Sequence, residues 1–208
     1  MSDEIVFYTN PMSRGRIVRW MLEEVGQPYR TEVLDYGTTM KSADYLAVNP
    51  MGKVPAIRHG DAVVTEGAAI CAYLADAFPD AGLAPAPGTR EAGAYYRWLF
   101  FAAGPVEAAV TNKAMGFEIP PERKSMAGYG CFEDVMDALE HAVSQGDYVA
   151  GDRFTAADVY FGSQIGWGLQ FGTVEKRPAF ERYWARLADR PAAARARALD
   201  DALMPKQG

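Results

Sequence analysis

The sequence predicts an α/β domain at its N-terminal end and an all-helical domain after it, and three observations carry that prediction. Over residues 1–80 short apolar runs and helical stretches follow the order strand, helix, strand, hairpin, helix, as in a sheet with helices on its faces. From Phe78-Pro79 to Gly88 the chain is rich in Pro, Ala and Gly with no period, which reads as a linker. Over residues 88–208 the apolar residues recur at helical spacing.

The first strand is Ile5-Val6-Phe7-Tyr8, an unbroken apolar run stopped by Thr9-Asn10-Pro11. A helix follows, with Ser13 expected at its N-cap, Met12 and Ile17 at the staple positions, and Ile17, Met21 and Val25 on one face before Gly26 ends it. Val33-Leu34 is a weak candidate for the second strand, and Tyr36 to Val48 reads as an irregular connection. Val54–Ile57 and Ala62–Thr65 flank Arg58-His59-Gly60-Asp61, the chemistry of a hairpin turn. Ile70, Tyr73, Leu74, Ala77 and Phe78 then recur as a helix that opens at Glu66-Gly67.

Beyond the linker a long helix from Thr89 to Met115 should kink at Gly104-Pro105, where a backbone N–H is missing. Pro120-Pro121 should restart a helix that runs past Leu139 to Gly146. Phe154-Thr155-Ala156-Ala157-Asp158-Val159 combines a capping-box pair, Thr155 with Asp158, and a staple, Phe154 with Val159. A start fixed twice over suits a helix buried in the middle of its domain, so this motif is read as structural. Two further helices are expected from Pro178 to Arg190 and from Pro191 to Leu203.

Composition narrows the function. With 208 residues, 49% of them hydrophobic, the chain can bury a full core. The formal charge of −6 argues against binding along a phosphate backbone, so no nucleic-acid partner is expected. No apolar run is long enough to span a membrane, and the acidic start Met1-Ser2-Asp3-Glu4 is unlike a signal peptide, so a cytoplasmic location is expected. Cys71 and Cys131 are far apart without metal-type spacing; both read as buried free thiols, and no metal site is expected.

The chain is organised around Gly52-Lys53-Val54-Pro55-Ala56-Ile57 and Thr65-Glu66-Gly67-Ala68-Ala69-Ile70. A proline at a strand's entry cannot join a ladder, which leaves Val54 with a free backbone edge. The start of the second block is a helix N-terminus, whose unpaired N–H groups attract an anion. One strand edge and one helix end thus face a common hollow. Gly-Lys-Val-Pro followed by Glu-x-x-Ala-Ile-x-x-Tyr-Leu resembles the glutathione-site core of the cytosolic glutathione S-transferases, and the element order and the Phe-Thr-x-Ala-Asp pattern extend the resemblance along the chain.

The resemblance implies a thioredoxin-like first domain, residues 1–80, that binds glutathione as co-substrate, and a helical second domain, residues 88–208, that lines the site for a small electrophile. It implies a cis Val54–Pro55 bond whose Val54 backbone meets the cysteinyl part of glutathione, as in strand addition. Glu66 would receive the γ-glutamyl ammonium, and Lys53 would reach the glycyl carboxylate. Gly67 departs from the usual Ser or Thr, so the N–H that binds the γ-glutamyl carboxylate is kept and the hydroxyl is lost, for about 0.5–1.5 kcal/mol.

The group that activates the sulfur should lie where the first strand meets the first helix. Ser13 matches the serine of Pro-x-Ser-Arg segments in the serine-type enzymes; Thr9-Asn10 resembles the pair of bacterial relatives that reduce disulfides; Tyr8 resembles the tyrosine-type enzymes loosely. The implied activity is glutathione transfer to a hydrophobic electrophile. The alternatives are reduction of a disulfide or peroxide, and a glutathione-binding protein without chemistry. Trp98, Met115, Phe117, Trp167 and Phe171 are candidates to line the electrophile site. The family also implies a homodimer, through the small face of Ala68, Ala69 and Ala72 and the aromatic area of Tyr95, Tyr96 and Trp98.

Overall fold

The computed structural model describes residues 4–204; Met1 to Asp3, on which the expectation about the chain's start partly rests, lie outside the described residues. The chain divides into two compact units. One holds the residues up to Leu83 together with those from Arg190 onward, and the other is Ala84–Asp189. The last helix therefore belongs with the sheet, whereas the sequence alone assigns it to the helical half.

In the first unit a four-stranded sheet is ordered β2-β1-β3-β4, from β1 (Ile5–Thr9), β2 (Tyr29–Val33), β3 (Ala56–His59) and β4 (Ala62–Thr65). β1 runs parallel to β2 and antiparallel to β3, and β3 and β4 form the hairpin. This is the thioredoxin-like arrangement. Ile5, Val6 and Phe7 are all buried, so the apolar run of β1 is covered on both faces. Helices α1 (Gly15–Val25) and α3 (Gly67–Ala77) pack together beside it. A separate cluster of Met40, Tyr45, Val48 and Ala56 gathers Tyr8, Leu34 and Val54, with Tyr45 supplied by the short α2 (Ala43–Leu46).

Several boundaries differ from expectation for identifiable reasons. β2 lies at Tyr29–Val33 rather than Val33-Leu34 because its pairing with β1 is set residue by residue from Ile5↔Tyr29 to Thr9↔Val33, a long-range constraint. β3 starts at Ala56 and continues to His59, which leaves only Gly60-Asp61 as the turn. The stretch expected to be irregular holds a 3₁₀ turn, Thr39–Lys41, and α2, whose start is capped by the Ser42 hydroxyl accepting from the Tyr45 N–H. The helix α1 begins at Gly15 with Arg14 at its N-cap, one residue later than Ser13 suggests.

The second unit is helical: α4 (Arg90–Phe101), α5 (Glu107–Ala114), α6 (Phe132–Ser144), α7 (Ala156–Phe171) and α8 (Pro178–Ala188). The expected kink is a wide turn at Ala102–Val106 that accommodates Pro105 between α4 and α5. Pro120-Pro121 starts only a 3₁₀ stretch, Pro121–Met126; α6 begins at Phe132, after Gly128 and Gly130 break the helix. At the start of α7 the capping box is complete and Asp158 is fully buried. Its carboxylate accepts from the Val149 N–H at 2.9 Å, the Thr155 N–H at 2.9 Å and the Tyr183 hydroxyl at 2.8 Å.

The last helix, α9 (Pro191–Asp201), packs along α1 within the first unit. Arg19 of α1 meets Asp200 at 3.0 Å with both side chains buried. Arg16–Asp201, Glu23–Arg195 and Glu24–Arg190 ring that buried pair.

Candidate glutathione site

The site is built at one end of the sheet. In the register, Tyr8 stands beside Ala56, and Ala56 beside Thr65. One step further along, the end of β1 at Thr9-Asn10, the entry of β3 at Val54-Pro55 and the exit of β4 at Glu66-Gly67 come to the same sheet end. Residues far apart in sequence are thus neighbours for a topological reason, since β3 runs opposite to both strands that flank it.

Val54–Pro55 is the cis bond among the described residues. Neither backbone group of Val54 makes a hydrogen bond there. Its approach is held from behind: the Lys53 carbonyl accepts from the Tyr45 hydroxyl at 2.6 Å and from the Asn49 side-chain amide at 2.8 Å. Asn49 also accepts the Met51 N–H through its Oδ1, closing the turn before it. Burial pushes the Tyr45 hydroxyl up to about 12, so it stays a donor across the ordinary pH range. Gly52 has φ +55, and a Cβ there would stand 2.6 Å from the Met40 carbonyl oxygen, so only glycine fits. The Lys53 side chain itself is exposed.

Glu66 is the only residue other than glycine with positive φ among the described residues, at φ 66. Such a backbone costs about 1–3 kcal/mol and persists where its surroundings impose it, commonly at binding sites. The Glu66 side chain caps nothing and is exposed, and Gly67 supplies the first N–H of α3. An exposed carboxylate and a helix N-terminus therefore stand side by side, able to take an ammonium and a carboxylate of one ligand.

The turn between β1 and α1 is tightly bonded. Asn10 donates from Nδ2 to the Leu34 carbonyl at 2.8 Å and accepts the Met12 N–H at 2.9 Å. Ser13 donates to the Asn10 carbonyl at 2.7 Å and accepts the Gly15 N–H at 2.9 Å, so it still satisfies the helix start that it no longer formally caps. Arg16 donates from Nε to the Pro11 carbonyl and from its terminal nitrogen to Asp201. Thr9 is fully buried, with a hydroxyl that has no partner among the described residues and lies against Gly15. Tyr8 is half-buried, its ring packed on Tyr45 at 5.5 Å.

Comparison with known proteins finds one family for both halves of the chain. The sequence model of the glutathione S-transferase N-terminal domain matches residues 12–77, and that of the C-terminal domain matches residues 132–191. Glutathione S-transferase GstA of Escherichia coli O157:H7 is 31% identical over 71% of this chain and 74% of its own. The chain belongs to the glutathione S-transferase family. A glutathione transferase from Methylococcus capsulatus superposes with a TM-score of 0.78 at 30% identity, covering 95% of this chain and 99% of that one. A sphingomonad glutathione S-transferase solved with glutathione gives 0.76 at 28%, covering 94% and 98%. Membership makes the protein a transferase.

This transferase gathers Tyr8, Asn10, Val54, Pro55, Glu66 and Gly67 at one sheet end, and Ser13 is bonded to Asn10 there. Sequence reasoning missed Tyr45, Asn49 and Arg16, which hold the backbone on which those residues sit. Asn49-Pro50 is a turn signal that could have pointed to Asn49; Tyr45 and Arg16 act through contacts that no local pattern announces. In the helical unit Trp98 is buried against Phe161 and Phe101, whereas Met115, Phe117 and Phe171 are exposed. Among the described residues no helix is long and apolar enough to cross a membrane.

Proposed function

We propose that this transferase binds glutathione at the sheet end and activates its thiol through Ser13 for attack on a small hydrophobic electrophile. The carrying observation is the free backbone edge of Val54 beside the exposed Glu66 carboxylate and the N-terminus of α3. The Val54 N–H and C=O take the cysteinyl unit as an added strand would, Glu66 takes the γ-glutamyl ammonium, the Gly67 N–H takes the adjacent carboxylate, and Lys53 takes the glycyl carboxylate. That places the sulfur toward the β1–α1 turn.

We favour Ser13 because it stands in the β1–α1 turn with a hydroxyl whose single proton is held by one main-chain carbonyl and can be redirected. Thr9 is fully buried, both ends of the Asn10 amide hold backbone groups, and the Tyr8 ring is packed on Tyr45. Ser13 is half-buried, and rotation of its hydroxyl about the Cβ–Oγ bond would turn its one proton from the Asn10 carbonyl toward a sulfur while Oγ keeps the Gly15 N–H. A hydrogen bond donated to the thiolate lowers the thiol pKa, the proton passes to solvent, and the thiolate forms a C–S bond as the leaving group departs.

The protein acts in the cytoplasm as a homodimer in this reading. Ala69 and Tyr96 are exposed, as that requires, and Phe100 joins Tyr96 one turn along α4; Tyr95 and Trp98, by contrast, are buried and contribute no surface. Glutathione calorimetry paired with conjugation of a general aryl halide tests the proposal. Binding with conjugation supports it. Binding without turnover across several electrophile classes replaces it with a non-catalytic glutathione-binding protein, and turnover confined to a disulfide or peroxide replaces it with a reductase.

A further inference from the structure

Cys131 stands at the N-cap of α6, and its sulfur accepts a hydrogen bond from the Lys124 ammonium at 3.0 Å. In a chain of charge −6 an exposed lysine ordinarily turns to a carboxylate or to water. Lys124 makes no ion pair among the described residues, although Glu133 and Asp134 are near enough to act on its charge. The bond to sulfur is the first cause that raises this ammonium above its ordinary value, ahead of both acids. Lys113 is the other charge beside the start of α6.

The chain between the two residues builds this approach. The Ala127 N–H donates to the Lys124 carbonyl at 3.2 Å and the Gly130 N–H to the Ala127 carbonyl at 2.9 Å, two successive turns that bring residue 131 back to residue 124. Gly130 completes the second turn in the left-handed conformation, at φ 71. The segment is anchored to α5 as well: Asn112 donates to the Tyr129 hydroxyl at 2.9 Å, and the Lys113 ammonium lies 3.5 Å from the Phe132 ring centroid. Nitrogen and sulfur therefore stand at the separation of about 3–3.5 Å from which bound groups react. Cys131 is 8% exposed, which admits a small oxidant; Cys71 is fully buried, and burial pushes its thiol up, so it offers no competing nucleophile.

We infer that Lys124 and Cys131 are a redox modification site, which hydrogen peroxide closes into a reversible S–N cross-link. The Cys131 thiol attacks the peroxide, takes one oxygen to become a sulfenic acid and releases water. The Lys124 ammonium passes a proton to solvent, and the free amine attacks the oxidised sulfur. The S–N bond forms, the S–O bond breaks, and the hydroxyl leaves as water with a proton from the nitrogen. Cysteine and lysine together lose two hydrogens, and the peroxide is reduced to two waters. A thiol reverses the step by attacking the sulfur and releasing the amine, and a second thiol resolves the mixed disulfide, so that Cys131 is restored and the two thiols leave as a disulfide. The closed form ties the 3₁₀ stretch Pro121–Met126 to the start of α6 and withholds the sulfur from irreversible oxidation. The pair is independent of the glutathione reading, because all its residues lie in the other unit.

Treatment of the folded full chain with equimolar hydrogen peroxide, followed by tryptic digestion and mass spectrometry, tests it. The expected product is a peptide of residues 124–153, uncut after Lys124 and two hydrogen atoms lighter than the same unmodified segment, with Cys71 still reduced. Dithiothreitol should restore both the mass and the cleavage after Lys124. Lys124→Gln, a change on an exposed side chain, should lose the cross-link and leave a sulfenic acid that dimedone traps; Cys131→Ser should give neither product. Circular dichroism confirms that each variant is folded. A parent product that keeps an oxygen from the peroxide overturns the inference, as does a Cys131 that stays reduced. So does the same loss of two hydrogens in Lys124→Gln, which would put the bond on a main-chain nitrogen.

Discussion

Ser13 has one proton, and in the free protein it is given to the Asn10 carbonyl. If that proton is what stabilises the thiolate, Ser13→Ala raises the pKa of bound glutathione and lowers turnover about 10- to 100-fold, one or two hydrogen-bond equivalents in the transition state. Ultraviolet titration of the thiolate in the binary complex, read beside steady-state rates, checks this; unchanged titration with turnover lost on Asn10→Ala would move the role to Asn10. The same variant loses the acceptor of the Gly15 N–H, worth about 1 kcal/mol of stability at a helix start. Glu66 raises a different expectation. Its carboxylate caps nothing, so Glu66→Gln should leave the unfolding midpoint nearly unchanged while weakening glutathione binding by about 1.5–3 kcal/mol, the value of a hydrogen bond to a charged group. Unaltered affinity in calorimetry would remove Glu66 from the ammonium site.

At the scale of elements, the attachment of α9 to α1 turns on one buried pair. Arg19 donates to Asp200, to Thr31 at 2.9 Å and to Tyr29 at 3.3 Å, and its guanidinium lies 5.0 Å from the Phe7 ring centroid. One terminal nitrogen of Arg19 and one oxygen of Asp200 remain buried without a partner among the described residues, so the pair recovers its desolvation cost incompletely. Asp200→Ala should therefore destabilise the protein by about 3–5 kcal/mol in urea unfolding, because a buried guanidinium is left uncompensated. Replacing both partners by apolar residues, Arg19→Met with Asp200→Leu, should cost far less. The surrounding pairs are partly exposed, and breaking Arg195–Glu23 should cost no more than about 1 kcal/mol. A double variant as unstable as Asp200→Ala would show that the loss is not that of an uncompensated buried charge.

For the molecule as a whole, buried tyrosines set the alkaline limit of stability. Burial pushes Tyr29 and Tyr45 up to about 12, and Tyr183 well above its ordinary value, beside the Asp158 carboxylate. Unfolded tyrosines release their protons near 10, so between about 10 and 12 the folded chain holds more protons than the unfolded one. Stability is then fully present below pH 10 and is lost as pH rises through 12. Urea midpoints measured from pH 9 upward should fall, and Tyr45→Phe should make that fall shallower at the cost of the Lys53 anchor. An identical pH slope in the variant would remove Tyr45 from the account. Assembly belongs to the same scale: with Ala69, Tyr96 and Phe100 exposed, light scattering at micromolar concentration should return a dimer mass, and a monomer mass would refute the dimer.

The pattern of residues by itself determined the elements whose cause is local. Gly26 ends α1 in the left-handed conformation, Thr155 and Asp158 close their box, Pro105 distorts the long helix, and Glu66-Gly67 opens α3. Each is a matter of a few neighbouring backbone groups seeking partners, which sequence spacing reports directly. The motif around Val54-Pro55 and Glu66 was legible for the same reason. Only the tertiary structure decided the rest. β2 took its place by pairing with β1 across the whole of α1; Ser13 stood outside the helix because its hydroxyl reached back to Asn10; and Tyr45 came to hold Lys53 from a separate element. α9 joined the sheet rather than the helices because Asp200 meets a charge, Arg19, that lies 181 residues away. A helical period states that one face will be buried, but it carries no information about which partner will bury it.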